Sequence, residues 1–149
     1  MTSTVRFAAA ALVLLCAAVA QAADASTVLL ELQRIDAEFD AARARCDDLA
    51  GQAKDVCLAE VRADRRIRKA ELAARGQGTS KARYDAQIAR AEAEFGVAKE
   101  RCAIRAGSER AACVADARAD EARAKDEARR ARHEAESREV ANGDRNPAK

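Results

Sequence analysis

Apolar residues recur along this chain at alternating spacings of three and four, the period of one face of an α-helix. One run is Val28, Leu32, Ile35, Phe39, Ala42, Cys46 and Leu49; a second is Tyr84, Ile88, Ala91, Phe95, Ala98 and Cys102. Between these positions the chain is mostly Ala, Arg, Lys, Asp and Glu, so each run is a narrow seam on a charged rod. Its aromatic and aliphatic members read as core, not as a ligand site. After each run the chain stays helical, through "LAEVRADRRIRKAELAAR" and "VADARADEARAKDEARRARHEAESRE". Pairs such as Glu121 and Lys125 at i,i+4 add a few tenths of a kcal/mol each to the last helix. That helix, almost all Ala and charge, is expected to be the least firmly packed.

The two runs belong to one duplicated unit. At an offset of 56, Ala37–Phe39 matches Ala93–Phe95, and Arg45, Cys46, Ala50, Gly51 and Cys57 match Arg101, Cys102, Ala106, Gly107 and Cys113. Arg62–Asp64, Lys69 and Glu71 recur as Arg118–Asp120, Lys125 and Glu127. Internal repetition on this scale outranks other signals in reading a fold. Three interior stretches break the helical pattern. "RGQGTS", 75–80, supplies two glycines and then Thr79 and Ser80 as caps for the next helix. Gly51 and Gly107 each stand midway between two cysteines, where a glycine just past a helix C-terminus is favoured. Ser108 is placed to cap the helix after Gly107; Gln52 is a poorer cap in the first unit.

The cysteine spacing gives the reason for the breaks. On one continuous helix, Cys46 and Cys57 would share a face about 16 Å apart, beyond disulfide reach. A reversal at Gly51 sets them level across a helical hairpin. Closing a loop of that size stabilises by about 3 kcal/mol on the chain-entropy argument. The expected fold is therefore all-α: two repeated disulfide-stapled helical hairpins, four helices in all, coiled-coil-like, with links Cys46–Cys57 and Cys102–Cys113. A second connectivity stays open, in which two unbroken helices fold back at 75–80 and pair Cys46–Cys113 and Cys57–Cys102. It would leave a glycine inside each helix, at about 1 kcal/mol each, and the local hairpins are favoured for that reason. The organisation that follows is hairpin 1 over 23–75, a linker over 76–81, hairpin 2 over 82–140 and a disordered tail over 141–149.

The N-terminus bears on compartment. Arg6 precedes the apolar run "FAAAALVLLCAAVA" and then Ala20-Gln21-Ala22, the form of a secretory signal over 1–22, cut after Ala22. The run is short for a bilayer span, so no transmembrane segment is expected once the signal is removed. Cys16 has Leu14 and Leu15 before it, unlike a lipidation site, and reads as filler within the signal. Removing 22 of 149 residues leaves 127, with 26 basic and 25 acidic side chains. That balance argues against a nucleic-acid partner. Leu, Ile, Val and Phe supply only 18 of the 127, below a well-packed globular domain. Four cysteines in an exported chain with so little core read as structural bridges made in an oxidising compartment, periplasmic or secreted.

Other chemistry finds little support. Ten residues between cysteines do not suit a structural zinc site, and the single histidine, His133, falls on the charged last helix as a solvated side chain. There is no Cys-x-x-Cys, phosphate loop or nucleophile elbow. No catalytic residue, cofactor or metal site is expected, and the chain reads as a non-enzyme. The unit "AEF…RC…AG…C…A…RAD…K", with "AGQAKDVC" at Ala50–Cys57, resembles small exported proteins of Gram-negative bacteria built from duplicated Cys-x10-Cys helical units. Some of these are labelled TolA-like or cell-envelope biogenesis proteins. The resemblance, over about 37–130, implies location and architecture more than activity. The expected function is a periplasmic structural or interaction protein of the envelope, with a protein partner or self-association. The alternatives are a periplasmic chaperone or stress protein, and a thiol redox or metal-handling protein using the cysteine pairs.

Overall fold

A computed structural model of the chain describes residues 26–145, so the expected signal, with Cys16, lies outside the described residues. Two compact units divide the chain after Arg34. In the first, residues 26–34 are helical, and Glu31 and Arg34 approach to 4.0 Å one turn apart. The second unit begins at Ile35 and holds everything that follows.

All regular structure among the described residues is helical: α1 (26–46), α2 (Gly51–Gln77), α3 (Ser80–Cys102) and α4 (Gly107–Arg145). α4 thus continues past 141, where the tail was expected to begin. Successive helices run antiparallel. The pairs Glu60–Arg101, Arg66–Glu92 and Glu71–Arg90 descend α3 as they climb α2, and Arg132 of α4 stands over Tyr84 near the start of α3. α3 packs against both α2 and α4, which do not touch each other. These three helices form a row with α3 in the middle, not a closed bundle.

The contacts along that row are mostly alanine. Ala74, Ala82, Ala86, Ala91, Ala93, Ala117 and Ala128 are buried, beside Leu72 and Val97, and Ala74, Ala82 and Ala86 form a continuous core cluster with Ala70 against it. α3 buries two faces. Ala82, Ala86, Ala93 and Val97 lie toward α2, half a turn away from Ala91 and Cys102. The seam expected on α3 is the second of these only; alanine on the first face gave no contrast with its surroundings. Of the expected seam residues in this unit, Ile35 is 1% exposed and Cys46 and Cys102 are the other large buried side chains, whereas Phe39, Phe95, Tyr84 and Ile88 are half-buried.

The two reversals of chain at 47–50 and 103–106 are alike. α1 ends at Cys46, and the Asp47 and Leu49 N–H groups donate to Ala44 and Cys46 carbonyls at 3.1 Å. Fifty-six positions on, Ala103 and Arg105 donate to Glu100 and Cys102 at 3.0 and 3.1 Å. Leu49, expected on the α1 seam, is therefore outside the helix and 42% exposed. The glycines also differ from expectation in position. They do not follow the first helix of each hairpin but open the second, with φ of 54° at Gly51 and 53° at Gly107. Ala50 is extended before Gly51, so the sharp change of direction falls on a residue in left-handed conformation, which costs an L side chain about 1–2 kcal/mol. A Cβ at Gly51 would meet no atom within 4 Å, so backbone conformation and not space demands glycine. Ala50 gives α2 no side-chain cap, and Ser108 lies within the first turn of α4 instead of preceding it. At the α2–α3 turn the caps are as expected: Gly78, at φ 64°, donates to the Ala74 carbonyl at 2.9 Å, and Thr79 Oγ1 accepts from the Ala82 N–H at 3.0 Å.

Two glycine substitutions should move stability in opposite directions. Gly51→Ala is expected to cost about 1–2 kcal/mol from the left-handed φ. Gly76→Ala, within α2 and with open space for a Cβ, is expected to add about 0.5–1 kcal/mol. Equilibrium urea melts of both variants decide this; a neutral Gly51→Ala contradicts the turn described.

Candidate functional site

Both disulfides close at the same level of their hairpins, Cys46–Cys57 and Cys102–Cys113, each with Cα atoms 5.7 Å apart. That spacing is the common one for a disulfide. The long ladder Cys46–Cys113 and Cys57–Cys102 is not formed. Cys46 is 0% and Cys102 2% exposed, while Cys57 and Cys113 are half-buried. One sulfur of each bridge is thus shielded from an attacking thiolate. Gln52, in the first turn of α2, donates its side-chain amide to the Glu100 carbonyl in the last turn of α3, tying the two reversals to one end of the row.

Ion pairs run across the row. Asp36 of α1 accepts from Arg65 at 2.7 Å and Lys69 at 2.9 Å, both on α2. Glu92 of α3 accepts from Arg66 of α2 on one side and, at 3.1 Å, from Lys125 of α4 on the other. Glu92 therefore bridges two helices that never meet. Asp36 and Glu92 are 56 positions apart, as are Lys69 and Lys125, so the same acid–lysine pair stands in both units. Lys69 and then Arg65 hold the Asp36 carboxyl below its ordinary pKa, and Lys125 and then Arg66 do so for Glu92. Glu121 and then Glu92 hold the Lys125 ammonium above its own. Arg65 also lies 4.6 Å over the Phe39 ring, and Arg132 lies 5.4 Å over Tyr84, so the two aromatics serve as platforms for cations more than as core.

Among the described residues no three His, Cys, Asp or Glu side chains gather closely enough to hold a metal ion, and no polar or charged residue is buried. His133 is 80% exposed, 3.8 Å from Glu136 on its own helix. No helix among the described residues is long and apolar enough to cross a membrane. The surface instead offers open grooves between helices. One of about 390 Å³ runs between α2 and α3, floored by Leu58, Ala59, Ala63, Ala93, Gly96 and Val97 and edged by Asp55, Arg62, Arg66, Glu92, Lys99 and Glu100. A second, of about 350 Å³, lies beside Phe39 under Arg62, Arg65, Arg66 and Lys69, and shares Arg62 and Arg66 with the first.

No protein-family model matches the chain, and no curated protein or solved structure matches it. What the arrangement can do must therefore be read from its own residues. Sequence reasoning brought out the cysteines and missed the groove and the Glu92 bridge. A signal for the bridge was present: Asp36 and Glu92 are both acids at the 56-residue offset, paired with a lysine that recurs at the same offset.

The lowered carboxyls set the sign of the acid response. Asp36 and Glu92 bind protons less readily folded than unfolded, so their stabilisation is present above the ordinary carboxylate range and is lost as pH falls through the lowered values. Lys125, raised, loses its contribution only at alkaline pH. Glu92→Gln is expected to flatten the loss of stability between about pH 5 and pH 2 relative to the parent chain. Urea midpoints measured across that range test it; curves that run parallel show that the bridge carries no linked stability.

Proposed function

We propose that this chain is an exported helical interaction protein of the cell envelope, acting by contact through its helix faces and turning over no substrate. The observation that carries this reading is the row of helices: α3 separates α2 from α4, and an open groove runs between α2 and α3 that a partner can enter. Several ionisable side chains along these faces, Glu60, Arg66, Glu71, Arg90, Glu92, Arg101 and Lys125, are engaged in cross-helix pairs, which favours a binding surface over a set of nucleophile, base and orienting group. Export is supported by two bridges of a kind that persists in oxidising compartments. The signal-like residues 1–22 and the resemblance to duplicated Cys-x10-Cys envelope proteins favour the periplasm of a Gram-negative cell.

The redox alternative asks for an accessible, reactive thiol; Cys46 and Cys102 are shielded, and Cys57 and Cys113 are half-buried. The chaperone alternative asks for a broad apolar face; the large apolar residues exposed among the described residues are Val28, Leu29 and Leu30 in one short run, and Leu49, Ile104 and Val140.

Expressed in a Gram-negative host from its full sequence, the protein is expected in the periplasmic fraction, beginning at Ala23 and without a free thiol. A photo-cross-linker placed on the α2–α3 face should trap one defined protein, another copy included. Cytoplasmic retention contradicts the compartment. Suppression of aggregation of unrelated unfolded proteins, with no defined neighbour trapped, contradicts the interaction reading in favour of a chaperone.

A further inference from the structure

The charged side chains of α2 and α3 are nearly all satisfied within the chain. Glu60, Asp64, Arg65, Arg66, Arg68, Lys69 and Glu71 have ionic partners on α2, and Lys81, Asp85, Arg90, Glu92, Glu94 and Arg101 have them on α3. On α2 and α3, the side chains of Asp55, Arg62, Arg75, Lys99 and Glu100 make neither an ion pair nor a hydrogen bond, and all but Arg75 line the α2–α3 groove. Of the four in the groove, two are acidic and two basic. A partner of a single charge sign would leave two of them facing like charge, whereas a surface that carries both signs in mirrored order satisfies all of them.

Asp55 and Arg62 have that order. They are seven residues, about two turns, apart on one face of α2, and the midpoint between them falls between Leu58 and Ala59. A twofold axis through that midpoint sets Arg62 against the partner's Asp55 and, by the same symmetry, Asp55 against the partner's Arg62. Leu58 and Ala59 then meet their own images at the centre. Ala59, Ala63 and Gly96, where a Cβ would meet nothing within 4 Å, leave room for a second helix to come close. Resting on the interaction reading above, we propose that this groove docks a second copy of the same chain, antiparallel, to form a symmetric dimer centred on Leu58 and Ala59. Lys99 and Glu100 flank the contact on α3 and give it both signs at its margin. The near-zero net charge of the chain adds no repulsion between copies.

The experiment is sedimentation equilibrium of the oxidised protein purified from the exporting host, with Asp55→Arg, Arg62→Asp and the double variant carrying both, each checked by circular dichroism and thiol titration. The expected result is a dimer for the parent chain, association weakened at least about tenfold in each single variant by like charges placed opposite, and recovery in the double variant. Leu58→Glu is expected to abolish the dimer; the charge exchange stands alone as the test if that variant does not fold. A dimer that both single variants form as tightly as the parent overturns this inference and leaves the interaction reading intact, since another surface then mediates it. A monomeric parent that cross-links from position 59 to a different envelope protein also overturns self-docking while keeping the interaction reading. A monomeric parent with no trapped neighbour overturns both.

Discussion

Alanine lets two helices approach closely but buries little more than a methyl group in doing so, and burial is worth roughly 25 cal/mol per Å² of apolar surface. A row of helices joined chiefly through Ala74, Ala82, Ala86, Ala91, Ala93, Ala117 and Ala128 therefore gains little from each contact. Ordering the backbone costs about 1–2 kcal/mol per residue whatever the side chains are. Helix propensity lowers that cost, because Ala, Arg, Lys and Glu are good helix formers, but it does not bring one helix to another. The two disulfides supply what the seam lacks. Each holds one reversal of chain by restricting the unfolded state, worth about 3 kcal/mol for a loop of this size. In a protein whose whole margin is on the order of 5–15 kcal/mol, two such loops form a large share.

The remaining ties act at the surface. The reversals at 47–50 and 103–106 repeat the same backbone hydrogen bonds, the same disulfide spacing and the same left-handed glycine. The pair Asp36–Lys69 repeats as Glu92–Lys125. Glu92 adds Arg66 to its pair and so spans α2, α3 and α4, while Gln52 fastens the start of α2 to the end of α3. Half-exposed ion pairs contribute modestly one at a time. Their arrangement does set register: sliding α3 along α2 by one turn would break Glu60–Arg101, Arg66–Glu92 and Glu71–Arg90 together.

Much of this was legible in the residues. The Cys-x10-Cys spacing with a glycine between forced a choice between two connectivities, and the cost of glycine inside a helix pointed to the one that forms. Thr79 and Gly78 marked the middle turn. What stayed hidden follows from alanine itself. The α2-facing side of α3 is Ala82, Ala86 and Ala93 with a lone Val97, and an apolar periodicity cannot separate those alanines from the alanines on every other face. Phe39 and Tyr84 looked like anchors because aromatics usually are; in the fold each carries an arginine over its ring. The glycines were recognised as turn residues but set at the wrong end of the turn, since the chain leaves α1 directly after Cys46 and needs positive φ only where α2 begins.

A row without an enclosed core has broad faces, and that is the physical ground for reading this chain as one that binds. The bridges join α1 to α2 and α3 to α4, so they bear on the groove between α2 and α3 through the stability of the whole chain. Guanidinium melts of the oxidised protein and of the same protein with both bridges reduced, followed by far-ultraviolet circular dichroism, test this most directly. The account predicts that reduction removes several kcal/mol, about 3 for each loop, and leaves a chain that is marginal or unfolded in the absence of denaturant. Melts that coincide in the oxidised and reduced states would show that the alanine seam and the ion pairs suffice, and would contradict the central role of the two disulfides.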